Sequence, residues 1–225
     1  MLIVDPERDK LKDFDDKLLH FDQVGVDAIL SVVPYYNKPS QEGIYQHFKT
    51  LAKISPLPLI LYNVPSRTGV NMTAETTLRL AHEFESIVGV KEASGIFSQI
   101  DAIIKNKPEG FDVISGDDGI TLPMMSLGAS GVISVLGNAF PAEMVEMVHA
   151  SLSGDYIQAF IIHQRLIELF DLLMVDGNPS GIKSMLHFLG RIQNVVRLPL
   201  VPARAETSEK IKNAITLLTS GCASC

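Results

Sequence analysis

Tryptophan is absent from the 225 residues, and cysteine occurs twice, at Cys222 and Cys225 in the terminal run Gly-Cys-Ala-Ser-Cys. Two cysteines so close together cannot staple a fold, which excludes a disulfide framework and fits a reducing cytoplasm. Their C-x-x-C spacing trails the end of the chain instead of following a strand and opening a helix, so it reads as a frayed tail rather than a redox motif. Histidine is scarce: His20, His47, His82, His149, His163 and His187 are scattered without ligand spacing, which argues against a metal centre. His149 and His163 read as surface decoration of helices.

Positive charge is in the minority. Lys and Arg number 19 against 26 Asp and Glu, a formal net charge of −7, which argues against a nucleic-acid or anionic-membrane surface. Residues 119–142 carry no charge and are long enough to span a bilayer. Gly119, Gly128, Gly131, Gly137, Pro123 and Pro141 break that run into short pieces of helix, turn and strand, so no membrane span is expected. The opening Met-Leu-Ile-Val meets Asp-Pro-Glu-Arg-Asp-Lys at once, which is not a signal-peptide pattern. Neither a Gly-x-Gly-x-x-Gly turn nor a Gly-x-x-x-x-Gly-Lys-Ser/Thr loop occurs, excluding the usual dinucleotide sheet and phosphate loop.

What the chain has is a large apolar fraction, 46% against 20% charged, enough for a sizeable core. Short continuous apolar runs at residues 27–34, 57–64, 87–92, 111–115 and 131–136 read as parallel strands covered on both faces. Leu2-Ile3-Val4 is a sixth candidate. Between them lie amphipathic segments: Leu11, Phe14, Leu18 and Phe21 at helical spacing, then residues 40–54, then 73–84. Thr73 is the expected N-cap of the last, with Leu78, Leu80 and Ala81 inward. Beyond residue 136 the pattern becomes helical, over 141–153, 155–175, 178–189 and 206–219. Asn178-Pro179 is the expected start of the third. Residues 156–174 are apolar on more than one face, which implies burial or a subunit contact. The reading is an α/β body over 1–140 and a helical extension over 141–225.

Polar chemistry sits at the C-terminal ends of successive strands: Tyr35-Tyr36-Asn37, Tyr62-Asn63, Lys91-Glu92, Ser115-Gly116-Asp117-Asp118, then Ser134 and Asn138. Reactive groups converging from many strand ends are the arrangement of a β/α barrel site. Lys91 stands out, in Ile-Val-Gly-Val-Lys-Glu, where an apolar residue would be cheaper to bury. An unpartnered buried ammonium tends to give up its proton, and a neutral amine can attack a ketone to form a Schiff base. The bland alternative pairs Lys91 with Glu92, Asp117 or Asp118 at the strand end. Tyr62 could shuttle protons and Arg67 could bind a carboxylate. Taken singly, a buried tyrosine and a loop arginine are equally ordinary.

Four stretches together carry a resemblance: Pro34-Tyr-Tyr-Asn-Lys-Pro-Ser-Gln-Glu-Gly43, Tyr62-Asn-Val-Pro-Ser-Arg-Thr-Gly69, Gly89-Val-Lys-Glu-Ala93 and Ser115-Gly-Asp-Asp118. In order and spacing they resemble the dihydrodipicolinate synthases, pyruvate-dependent class I aldolases related to N-acetylneuraminate lyase. The resemblance implies a (β/α)8 TIM barrel with C-terminal helices and a homo-oligomer, a dimer or tetramer. It implies that Lys91 forms the imine with pyruvate, needing no cofactor or metal, and that the enamine attacks the small acidic aldehyde aspartate semialdehyde. It further implies that Tyr62 relays protons, that Tyr36 reaches across a dimer interface, and that Arg67 binds the semialdehyde carboxylate. Gly116 and the backbone of Ile133 would line the pyruvate pocket. The lysine pathway is the implied setting; other sugar-acid or 2-keto-acid lyases and a catalytically inactive relative are the alternatives.

The chain departs from this pattern at its front. The family's Gly-Thr-Thr-Gly-Glu loop has no counterpart here, and closure of a barrel takes eight strands. The expectation is therefore an incomplete barrel lacking about two strands, with Tyr35 as the remnant of a lysine-feedback site.

Overall fold

The computed structural model describes residues 3–4 and 25–220. The expected helix around Leu11 to Phe21 and the Cys222/Cys225 tail lie outside the described residues. Among the described residues, six strands form one parallel sheet in sequence order: β1 Ile3–Val4, β2 Ala28–Val32, β3 Leu59–Asn63, β4 Ile87–Glu92, β5 Asp112–Ser115 and β6 Gly131–Val132. Each of β2, β3 and β4 is buried or nearly so along its length, because both sheet faces are covered. The continuous apolar runs of the sequence follow from that double burial.

Helices fill the connections. Helix α1, Gln41–Ile54, starts where Ser40 Oγ accepts the Gly43 amide, and buries Ile44, Tyr45, Phe48 and Leu51 along one stripe. Helix α2, Ala74–Glu83, is capped by Thr73 as expected. It buries Thr76, Thr77, Leu80 and Ala81, and Leu78 is only half-buried, since it lies at the flank of the stripe. Helix α3, Phe97–Asn106, was not among the expected segments because Ile96 at its cap position offers no capping side chain. Its buried Ile100 and Ile103 are the helical spacing that marks it.

The strand expected at 131–136 ends at Val132. One further ladder-like bond joins the Ile133 amide to the Ser115 carbonyl at 3.0 Å. Beyond it, the amides of Val135 and Leu136 donate to Asp118 Oδ2 at 3.0 and 2.8 Å, and the chain turns into a 3-10 helix over Leu136–Asn138. Asp118 thus takes the amides that a longer strand would give to its neighbour.

Two compact units result. One comprises Met1–Gly116 with Leu127–Ile133 and carries the sheet; the other comprises Asp117–Ser126 with Ser134–Cys225 and is helical. The helical unit holds most of α4 Thr121–Leu127, and all of α5 Pro141–Leu152, α6 Tyr156–Val175, α7 Ser180–Phe188 and α8 Ala205–Thr219. Helix α7 begins one residue after Pro179, which itself occupies the cap position, so Asn178 is not the cap the sequence suggests. Pro179, at φ −92° and ψ 3°, lies outside regular helical geometry, so the helix starts at Ser180. A Cβ on Gly181 would lie 2.5 Å from the Leu173 carbonyl oxygen, so only glycine lets α7 approach α6 this closely.

Burial accounts for part of the apolar excess of helix α6. Ala159, Ile162, Leu166, Leu169 and Phe170 are buried, whereas Ile157 and Phe160 remain exposed. His163 is not surface decoration: it is buried against Phe170, with ring centroids 5.5 Å apart, because it shares the inward stripe. His149 is exposed. Among the described residues no helix is long and apolar enough to cross a membrane.

Candidate active site

The register of the sheet assembles the site. Tyr62 of β3 stands opposite Lys91 of β4, and Lys91 stands opposite Ile114 of β5. Residues in one row share a face, so these three side chains lie side by side. Tyr62 and Ile133 pack against an apolar cluster of Ala28, Leu30, Ile60 and Ile114 on that face. Lys91 is 9% exposed, and its Nζ lies 4.2 Å from the centre of the Tyr62 ring.

One row toward the strand ends, Gly116 sits on the same face. Its amide donates to the Glu92 carbonyl at 2.9 Å, and a Cβ there would stand 3.1 Å from Lys91 Cγ and 2.8 Å from Ala93 Cβ. The glycine therefore makes room for the lysine stem. Glu92, adjacent to Lys91, points to the opposite face, as alternation along a strand demands. It is fully buried and accepts from Asn63 Nδ2, Gln99 Nε2 and the Ser94 amide. It is thus not an ion-pair partner of the lysine beside it. Asp118, the acid at the end of the next strand, is likewise engaged, by the amides of Val135 and Leu136; burial pushes its carboxyl above the usual range.

Arg67 and Tyr36 sit differently. Arg67 lies in the single helical turn Pro65–Thr68 that follows β3, closed by Gly69 at φ 66°, whose amide donates to the Pro65 carbonyl at 2.9 Å. The proline and glycine that bracket it do fix a compact turn, and the guanidinium side chain is exposed. Tyr36 lies in the turn after β2 and is 91% exposed, in a turn closed by the Lys38 amide donating to the Tyr35 carbonyl. So the structure brings Tyr62, Lys91, Gly116 and Ile133 onto one sheet face and leaves Tyr36 and Arg67 on exposed turns. Sequence reasoning passed over Asn71 and Gln99, polar groups on the loop after β3 and on α3; their only signal is that they flank buried strand ends. Among the described residues no group of three or more His, Cys, Asp or Glu is placed to hold a metal ion.

The comparisons with known proteins agree with one another. The dihydrodipicolinate synthetase family pattern matches residues 18–218. The chain belongs to that family. The 4-hydroxy-tetrahydrodipicolinate synthase of Parabacteroides distasonis is 64% identical over 198 residues, covering 88% of this chain and 67% of the relative. That of Phocaeicola vulgatus is 59% identical over 207 residues, covering 92% and 70%. The chain therefore spans about two thirds of these relatives' length. The dihydrodipicolinate synthase of Thermotoga maritima superposes with a TM-score of 0.93 at 37% identity, covering 96% of this chain and 75% of that one. The Aquifex aeolicus enzyme gives 0.88 at 43% identity, covering 91% and 70%. The fold is that of a TIM barrel with a helical C-terminal part, of which six strands are present among the described residues.

Proposed function

We propose that this chain is a Schiff-base lyase/synthase that condenses pyruvate with L-aspartate 4-semialdehyde to 4-hydroxy-tetrahydrodipicolinate in the lysine (diaminopimelate) pathway of the cytoplasm. The observation that carries the reading is the buried amine of Lys91 over the Tyr62 ring, at the strand end where a barrel enzyme places its chemistry. The Lys91 nitrogen attacks the keto carbon of pyruvate, and the carbinolamine loses water to leave an imine. The imine draws electrons from the adjacent methyl, which loses a proton to give an enamine. The enamine carbon then bonds to the aldehyde carbon, and hydrolysis or cyclisation releases the lysine. The covalent imine serves as electron sink, so the step calls for no cofactor.

The remaining roles follow the family pattern. Tyr62 moves the protons of water loss; Gly116 and the Ile133 backbone line the space for the pyruvate; Arg67 binds the aldehyde's carboxylate at the rim. Tyr36 acts in the site of a second copy, and its near-complete exposure in a single chain supports that assignment. We accordingly assign a homo-oligomer, a dimer at least.

Borohydride reduction in the presence of pyruvate tests the reading. Mass should be added at Lys91, and Lys91→Ala should abolish it. A folded wild-type chain that gains no adduct removes the proposal. Comparing aspartate semialdehyde with N-acetylneuraminate and 2-keto-3-deoxygluconate as substrates separates this enzyme from other members of its mechanistic class. A second reading, a family member without turnover, rests on the six-strand sheet in which, among the described residues, β6 does not pair back onto β1. An adduct without condensation would select it.

A further inference from the structure

The face of the sheet opposite Lys91 carries a polar network that the proposed chemistry does not use. Directly beyond the Tyr62–Lys91 pair, Asn63 stands opposite Glu92. Both side chains are fully buried. Asn63 Nδ2 donates to both Glu92 oxygens at 3.2 and 3.1 Å, Gln99 Nε2 to one at 3.1 Å, and the Ser94 amide to the other at 2.7 Å. Every one of these donors is neutral. Burying a carboxylate among neutral donors is costly unless each lone pair is filled.

The arrangement has a direction. The Asn63 amide presents its nitrogen to Glu92, to Asn71 Oδ1 at 2.9 Å and to the Met72 carbonyl at 3.3 Å, leaving Asn63 Oδ1 to face the other way. There it accepts the Met72 amide at 3.0 Å. Met72 ends the segment that leaves β3 at Val64, carries Arg67 and returns. The return is held twice more: Asn71 Nδ2 donates to Gln99 Oε1 at 2.9 Å, and Gln41 Nε2 of α1 donates to the Asn71 carbonyl at 2.7 Å. Gln41 Oε1 in turn accepts from the Thr73 amide and from Thr76 Oγ1. The same pair also sits just past a register shift between Leu59 and Ile60, where the β3–β4 alignment changes. A one-residue slip there would carry Lys91 to the wrong face.

We infer that Glu92, acting through the Asn63 amide, is a positioning residue that clamps the Arg67-bearing segment 64–72 against the strand carrying Lys91, and thereby sets recognition of the second, carboxylate-bearing substrate. The inference rests on the roles proposed above for Lys91 and Arg67. A glutamine at 92 keeps the shape but sets its own NH2 against one of the N–H donors of Asn63, Gln99 and Ser94, donor against donor. The contact that holds Asn63 and Gln99 beside Met72 then loosens, and the clasp on the loop opens.

The test compares Glu92→Gln with Gln46→Ala, which removes an exposed amide on α1 outside the network. Hydrogen exchange at the Met72 amide should quicken about tenfold or more in Glu92→Gln and stay at the parent rate in Gln46→Ala. In turnover, the KM for aspartate semialdehyde should rise by about tenfold, while the rate of the borohydride-trapped pyruvate adduct changes less than about twofold. Unchanged Met72 exchange in a folded Glu92→Gln overturns the inference, as does an equal rise in Gln46→Ala, or equal losses in adduct formation and semialdehyde use. Should Glu92→Gln not fold, Asn71→Ala, at a half-buried position, must give an intermediate rise at Met72. A parent chain that forms no pyruvate adduct would remove the proposed function, and the Met72 exchange would still decide whether the clamp exists.

Discussion

At the scale of single residues, Gly116 and His163 show how little freedom the interior leaves. A methyl group at 116 would meet Ala93 Cβ at 2.8 Å, closer than relaxed contacts come, and the Lys91 stem at a tight 3.1 and 3.2 Å. Gly116→Ala is therefore expected to destabilise the chain by about 1–3 kcal/mol and to slow trapping of pyruvate on Lys91 by tenfold or more. Denaturant titration and adduct mass read the two effects separately. His163 is a buried imidazole whose Nδ1 finds no hydrogen-bond partner among the described residues, and burial holds its pKa below the ordinary value. Above the ordinary value of about 6.5 the ring is neutral in both states, and its titration leaves stability unchanged. As the pH falls through 6.5 the unfolded chain binds a proton that the native chain refuses, so stability declines until the native pKa is reached. The expected outcome is that His163→Leu flattens the fall in urea midpoint on acidification below pH 6.5. A wild-type midpoint that rises on acidification in that range would contradict the burial of this ring.

At the scale of elements, caps and register decide more than propensity. Thr73 both accepts the Thr76 amide and joins the Gln41 cluster that ties α2 to α1. Thr73→Ala should cost about 1–2 kcal/mol, at the upper part of the range for a lost cap, because a second contact goes with it. Thermal unfolding of the variant measures this, and Ser40→Ala, whose cap serves only α1, is the smaller control. Strand existence was legible from continuous apolar runs: of the five clear candidates, 87–92 appears with its expected bounds and three appear with edges trimmed by one or two residues. The exception is instructive: residues 133–136 have a strand's composition, yet Asp118 takes the Val135 and Leu136 amides and bends the chain away. A side chain distant in sequence competed with the ladder and won. Helix α3 escaped notice for the reverse reason, since an element lacking a capping side chain announces itself only through the burial of Ile100 and Ile103.

At the scale of the whole molecule, the separate addresses of Lys91 and Tyr36 make the assembly testable. Tyr36→Phe and Lys91→Ala are each expected to be nearly inactive. Mixed and allowed to exchange subunits, they should recover up to about a quarter of wild-type activity, because half of randomly formed dimers would combine one intact Lys91 site with the other chain's Tyr36. No recovery under conditions of proven exchange would place Tyr36 outside its neighbour's site. The exposed Ile157 and Phe160 on α6 belong to the same scale, because their pattern in sequence cannot distinguish a face awaiting cover from one already covered.

The linear chain determined its class, its parallel strands and the one lysine out of place among apolar neighbours, because strand period and the cost of burying charge are local properties. It also carried the four motif stretches that mark the family, since each holds its spacing within one short run of residues. Tertiary structure alone decided that Tyr62 lies beneath the Lys91 amine, that Gly116 clears its path, and that Glu92 turns its back on it toward Asn63. Those relations depend on the register between strands some thirty residues apart, and a register is fixed by packing and buried hydrogen bonds that no stretch of sequence contains by itself.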